Sequence, residues 1–280
     1  MPFNASVAEE EEEAEYTGPL DLVPGAAWLP SFSSTRALAA SMLGEDGYTL
    51  RATDDTELAF AYNASTGLID ASAIATWAAG HGGDAFLKIW NDHTVNAKSL
   101  TQATEATQPQ WTPNSIAALP SMFGISSTVE TSTGIEFTEA DPLTVFIVVK
   151  FTDFPAQSMT ADFRDGVTNS AGIFLFDSFG EMIIDAGPSN DWYVEQPTAT
   201  GSYIFEWVVA ADGSMTLLIN GTEPTMNTDT LIPIPTMTAM LTLQPRAPTF
   251  EYIAAKQTFS APQKTAIRQN LATYYGITLP

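Results

Sequence analysis

Cysteine is absent from all 280 residues. That removes disulfides, thiolate metal sites and cysteine nucleophiles together. Histidine is scarce: His81 and His93 are the two, and they do not make the His-x-x-x-His pair of a zinc hydrolase. His93 beside Asp92 would need a serine-bearing elbow such as Gly-x-Ser-x-Gly to act as a catalytic dyad, and none is present. A glycine-rich phosphate loop is missing too. Cations are few: ten Lys and Arg stand against 33 Asp and Glu, a formal charge of -23. Such a surface repels phosphate backbones, which argues against nucleic acid and anionic membranes as partners. It favours solubility and suits salty surroundings. No apolar run reaches the ~18 residues of a bilayer-spanning helix. The longest, Leu143 to Val149, has strand length and contains Thr144. The opening "MPFNASVAEEEEEAEY" lacks the basic start and apolar stretch of a secretory leader. Standard export is therefore not expected, and the sequons at Asn4, Asn63 and Asn220 carry little weight.

What is present is a core. Hydrophobic residues make up 45% of the chain and aromatics 11%, enough for a globular fold. Residues 1–25 differ from the rest. Glu9, Glu10, Glu11, Glu12, Glu13 and Glu15 form a like-charge block, followed by Tyr16 and "TGPLDLVPG". Such blocks are commonly solvated arms. Carboxylates this crowded repel one another and rarely order alone. An arm of residues 1–25 is therefore expected to dock on a neighbouring subunit or a larger assembly.

Along the remainder, Arg36 to Leu43 is alanine-rich and predicts a short helix, with Ser33 or Ser34 as N-cap and Gly44 as the stop. "GYTLRATDDTELAFAYN" predicts two strands around Asp54–Asp55. "LIDASAIATWAAG" predicts a helix capped by Asp70 and closed at Gly80, burying Ile69, Ile74 and Trp77. "DAFLKIW" is a strand that buries Phe86, Ile89 or Trp90. "LTVFIVVKF" (143–151), apolar almost throughout, predicts a central strand covered on both faces. "AGIFLFDS" and "EMIIDAG" form a hairpin around "FG". The segment 202–219 forms another, turning at Asp212–Gly213. "SAPQKTAIRQNLATYYGI" predicts a C-terminal helix with Ser260 as N-cap, Pro262 in the first turn and Gly276 as the stop. Many short strands and few helices predict an all-β sandwich.

Two stretches carry a resemblance. "FEWVVAADGSMTLLINGTEP", with Trp207, Asp212–Gly213 and Asn220–Gly221, resembles the late hairpin of concanavalin A-like (laminin-G-like) sandwiches. "EYIAAKQTFSAPQKTAIRQNLATYYGI" resembles their closing strand and helix, and "DPLTVFIVVKF" their core strand. Residues 47–111 are similar to a module that opens arabinofuranosidase B catalytic domains and recurs in phage laminin-G-like proteins. The matching positions are Arg51, Asp54–Asp55, Asp70, Trp90 with Asp92, Thr101–Gln102 and Gln108–Pro109. The resemblance implies a jelly-roll β-sandwich over residues 26–280 with a few short helices. This sequence departs from the family where "WNDHTVN" replaces a glycine-rich "YDQSGNG" loop. The hydrolase's cysteines are missing, and its two catalytic carboxylates match no motif here.

The resemblance and the arm together imply a non-enzymatic virion protein: a phage capsid decoration or tail-associated protein on the virion surface, made in the host cytoplasm. It would contact other capsid or tail subunits, form a homo-oligomer and bind host-surface glycan. The alternative is an arabinofuranosidase-like glycoside hydrolase or a carbohydrate-binding module. Sugar binding calls for exposed aromatic faces beside amides and carboxylates. Trp192 and Tyr193, following Asn190 and Asp191 at an expected loop tip, are the candidates. The competing reading folds these aromatics over the core edge. A glycosidase needs paired carboxyls, and Asp177, Glu181 and Asp185 lie near Asp162 and Asp165. An acidic chain, however, must carry such groups on its surface anyway. No cofactor is expected. Calcium is the one metal the resemblance allows, at Asp162 and Asp165, with Asn190 and Asp191 in a second loop. The Asn-Asp-His run at 91–93 is expected to be a structural turn, with Asp92 capping local amides and His93 making a turn hydrogen bond.

Overall fold

The computed structural model describes residues 15–116, 119–124, 127–131, 134–152, 159–165, 170–175, 181–186, 191–195, 197, 199–224 and 234–280. The N-terminal part contributes β1 (Phe32–Ser33), β2 (Asp46–Ala52), β3 (Glu57–Ala61), α1 (Ala71–Gly80), β4 (Ala85–Trp90) and β5 (Leu100–Thr101). The β2–β3 hairpin turns where expected: Asp55 takes the left-handed φ of 67°, and the Asp54 carboxylate accepts from the Thr56 amide at 3.1 Å. Helix α1 starts at Asp70, whose side chain accepts from the Ala73 amide at 2.9 Å. It buries Ile74 and Ala78, with Ile69 just before it and Trp77 half-buried. On β4 the register slips: Thr49 pairs with Ile89, and Leu50 with Leu87. Lys88 is the extra residue of this bulge, which turns Trp90 rather than Ile89 into the core behind Leu87.

Next come β6 (Gln110–Ile116), β7 (Leu119–Phe123), β8 (Val129–Glu130) and β9 (Ile135–Phe137). The sandwich proper is built by β10 (Leu143–Phe151), β11 (Met159–Arg164), β12 (Ser170–Leu175), β13 (Glu181–Ala186), β14 (Asp191–Glu195), β15 (Gly201–Val209), β16 (Met215–Ile219), β17 (Met237–Gln244) and β18 (Thr249–Ala255). Helix α2 (Ala261–Tyr275) closes the chain. The strands form one curled antiparallel sheet. One run through it is β16–β15–β10–β18–β1. The other is β14–β13–β12–β11–β17, with β8 and β9 also on β17.

The apolar run 143–151 behaves as its composition dictates. Val145, Ile147, Val149 and Phe151 join Ala161, Phe163, Leu241 and Leu243 of the second run in the main core. Phe146 and Val148 point the other way, into a second core with Ile204, Ile253 and the α2 residues Ile267, Leu271 and Tyr275. Successive strand side chains alternate faces, so a strand buried on both must be apolar throughout. Gln263 Oε1 accepts from the Ser260 amide at 2.9 Å to start α2, and Gly276 ends it at φ 63°. The 201–219 hairpin also forms as expected, with Gly213 at φ 81° and Asp212 accepting from the Ser214 amide at 2.9 Å.

Two expectations are corrected. Arg36 to Leu43 is not an α-helix; a 3-10 turn at Ala40–Met42 is all that forms. Its amides are taken by distant partners: Ala37 by Gly67 O, and Leu38 by the His93 ring. The Arg36 guanidinium is drawn into the core by Glu251, with Nε to Oε1 at 2.7 Å. Residues 16–25, grouped with the arm, are packed on the body. Leu20 and Val23 are buried in the second core, and Tyr16 donates to Ala37 O. Burying two such apolar side chains contributes roughly 1.5–3 kcal/mol each, and the Asp21 carboxylate accepts from the Gly18 amide at 2.9 Å and the Ala40 amide at 2.8 Å.

Candidate functional site

Directly opposed residues of antiparallel strands share a face. The register therefore aligns one polar row across the second run: Glu130 opposite Thr242, Thr242 opposite Asp162, Asp162 opposite Gly172, Gly172 opposite Asp185, and Asp185 opposite Asp191. The next residues along, Val129, Leu243 and Ala161, are buried in the main core, so the polar row lies on the other face of this layer. Asp162 is 1% and Thr242 0% exposed. Asp162 Oδ2 pairs with Arg164, at 2.7 Å to Nε and 2.5 Å to the terminal nitrogen. Arg164 is two residues on and thus on the same face. Gly172 is required here: a Cβ on it would lie 2.3 Å from the Asp162 Cβ. The Thr242 hydroxyl is buried and makes no hydrogen bond. A buried hydroxyl without a partner costs free energy.

The structure distributes the sequence candidates unevenly. Trp192 and Tyr193 are not at a loop tip; both belong to β14, because "DWYVE" is β-branched and aromatic enough to extend the sheet. Trp192 pairs with Ile184 and Tyr193 with Ile183 of β13. Asn190 and Asp177 lie outside the described residues, as do Glu9, Glu10, Glu11, Glu12 and Glu13. Glu15 is exposed. Asp165, half-buried, follows the end of β11 on the Arg164 side. Of the calcium candidates, Asp162 carries the Arg164 guanidinium, and among the described residues no group of three His, Asp or Glu side chains gathers for a metal. Thr242, Gly172, Arg164 and Glu130 carry no signal in the sequence, because strand register alone brings them to one row.

The Asn-Asp-His turn is structural, as expected for Asp92, and more deeply built than expected for His93. Asp92 Oδ1 accepts from the amides of Ser31 at 3.0 Å and Thr94 at 2.9 Å. Its Oδ2 accepts from the Thr94 hydroxyl at 2.9 Å and the Lys98 amide at 3.0 Å. Burial pushes the Asp92 carboxyl above its ordinary range, and these hydrogen bonds pull it back. His93 is buried rather than a surface loop residue. Its Nδ1 accepts from the Leu38 amide at 3.0 Å, and its Nε2 lies 2.8 Å from the Tyr62 hydroxyl. Since Nδ1 accepts, Nε2 carries the proton and donates to Tyr62, whose own proton goes to Ser33 O at 2.7 Å. Every proton in this chain is committed to holding residues 31–38 in place.

No protein-family model matches the chain, and a search of curated proteins gives no match. Among solved structures, a GH54 α-L-arabinofuranosidase soaked with a cyclic sulfate inhibitor superposes with a TM-score of 0.70 at 14% identity, over 92% of this chain and 66% of that one. An arabinofuranosidase complexed with arabinofuranosyl-α-1,2-xylobiose gives 0.68 at 15% identity, over 92% and 65%. This chain thus spans just under two thirds of either protein. At these identities the likeness speaks to architecture, and the protein has the β-sandwich fold seen in those arabinofuranosidase structures.

Proposed function

We propose that this protein is a non-enzymatic, glycan-binding sandwich displayed on a virus particle, most simply a phage capsid decoration or tail-associated protein. The observation that carries the sugar-binding half is the polar row, where Glu130 is exposed and the Arg164 guanidinium is half-buried over the buried Asp162. A carboxylate and a guanidinium on a rigid sheet are groups that hydrogen-bond sugar hydroxyls. Binding is favoured over hydrolysis because the deeply buried sheet carboxylates are held by cations: Asp162 by Arg164, Glu206 by Arg268 and Lys264, Glu251 by Arg36. Support for the particle half is the acidic block at 9–15 and the phage setting of the module that residues 47–111 resemble. A glycan panel tests the first half: Glu130→Ala and Arg164→Ala should each weaken the bound glycan about tenfold or more. No binding to any glycan by the folded protein sinks it. Association with particles should be lost on removing residues 1–14; unchanged association sinks the second half.

One observation favours the hydrolase reading. Asp185 and Asp191 are paired directly across β13 and β14, and glycosidases work with two carboxyl groups. Release of 4-nitrophenol from an aryl arabinofuranoside, abolished by Asp185→Asn in a folded protein, would replace the binding reading.

A further inference from the structure

We propose that β3 is an interaction surface for the β3 of a second copy of this chain, so that two molecules share one continuous sheet. Strand β3 pairs with β2 along one side. Among the described residues no strand pairs with its other side.

The direction of the open groups follows from the ladder. Ala52 N donates to Thr56 O at 2.8 Å, and Tyr62 N donates to Glu45 O at 2.9 Å. Hydrogen-bonded pairs in an antiparallel ladder recur at every second residue. Leu58 and Phe60 therefore turn their backbone groups to β2, and Glu57, Ala59 and Ala61 turn theirs outward. The far side of β2 agrees: Gly47 O accepts from the Asn91 amide at 2.9 Å, on the β4 side. The edge is also bare. Glu57, Leu58, Ala59 and Ala61 are exposed, and Leu58 keeps 44% of its surface in water. Proline and lysine, which commonly blunt an open edge, are absent from it. By contrast β16, at the end of its own run, has no exposed residue.

Self-complementarity chooses the partner. The two-fold register that pairs all five residues of β3 is centred on Ala59. It sets Ala59 against Ala59, Leu58 against Phe60 and Glu57 against Ala61. Further out, Thr56 meets Tyr62 and Asp55 meets Asn63. No carboxylate faces another, in a chain that carries 33 of them. A register centred on Glu57 would oppose two glutamates. Glu57 is itself held by Lys88 at 2.5 Å. Phe60 is braced against Trp77 of α1, with ring centroids 5.3 Å apart, so each Leu58 gains a fixed aromatic neighbour from the other copy.

The test is sedimentation velocity of the full-length protein over a concentration series. Wild type should pass from monomer to dimer with a dissociation constant on the order of micromolar, the weak end suited to a small interface. Ala59→Pro removes an outward N–H, and Ala59→Glu sets two carboxylates face to face on the axis. Each should weaken the dimer about tenfold or more while keeping the far-UV circular dichroism of wild type. Removing residues 1–14 should leave the dimer intact, which separates this surface from the acidic arm. The chain has no cysteine, so Ala59→Cys gives each copy one thiol. A short bis-maleimide should join two copies through it, and should not join Val95→Cys, fully exposed on the loop 91–98. A monomer at every concentration overturns the proposal, as does a dimer that survives both Ala59→Pro and Ala59→Glu. So does a dimer lost with residues 1–14, or cross-linking no better at position 59 than at position 95.

Discussion

His93 lies buried between the Leu38 amide and the Tyr62 hydroxyl. Burial pushes its pKa down to about 3 from the ordinary 6.5, and pushes the Tyr62 phenol well above its usual range. The unfolded chain takes up a proton at His93 near pH 6.5; the folded chain does not until about pH 3. Stability from this group is therefore complete above pH 6.5 and is lost as pH falls toward 3, by up to about 1.4 kcal/mol per pH unit. Asp92, raised by burial, acts in the opposite sense. His93→Asn keeps an acceptor near Leu38 and cannot titrate. Urea midpoints from pH 7 to 4 should fall less steeply for this variant than for wild type; parallel slopes would remove His93 from the account. Gly172 is the second residue-scale case. Gly172→Ala drives a Cβ into Asp162 at 2.3 Å and should cost about 1–3 kcal/mol or more of stability, read as a lower urea midpoint. Asp92 was legible as an amide cap from its place after a strand. Neither the depth of His93 nor the need for Gly172 was, because each depends on a neighbour tens of residues away in sequence.

At the scale of elements, composition was a good guide where an element answers to its own residues. Asp70, Ser260 and Gly276 mark helix ends by local hydrogen bonds or backbone freedom, and the all-apolar β10 can lie only inside. The guide failed at 36–43, where alanine content favours a helix but Glu251 and His93 compete for the same groups. Arg36 and Glu251 form a buried pair with side chains 6% and 1% exposed, joined by the Ser33 hydroxyl at 3.3 Å and the Tyr274 ring 4.0 Å from the guanidinium. Arg36→Met leaves a bare buried carboxylate and should cost about 3–5 kcal/mol. The double change Arg36→Met with Glu251→Met should recover most of that loss in urea unfolding. Additive losses would show that the pair acts through packing and not through charge. The docking of α2 uses a similar device, with Arg268 at 2.7 Å and Lys264 at 3.5 Å on Glu206 of β15.

For the whole molecule, charge and topology separate cleanly. A formal charge of -23 strains the compact state through self-repulsion. Raising NaCl from 10 to 500 mM shortens the screening length several-fold and should raise the melting temperature by roughly 2–5 °C. A flat or falling melting curve would show that local pairs, not the global field, dominate. By itself the sequence determined the class: strands enough for a sandwich, two capped helices, a core free of thiol chemistry and a surface hostile to polyanions. Those follow from local pattern and composition, which each residue carries with it. Only the tertiary structure decided which polar groups meet. It placed Glu130, Thr242, Asp162, Asp185 and Asp191 in one row and put Trp192 within a strand instead of at a loop tip. Strand register and loop closure join residues far apart in sequence, and a one-residue shift in pairing would send each of them to the opposite face.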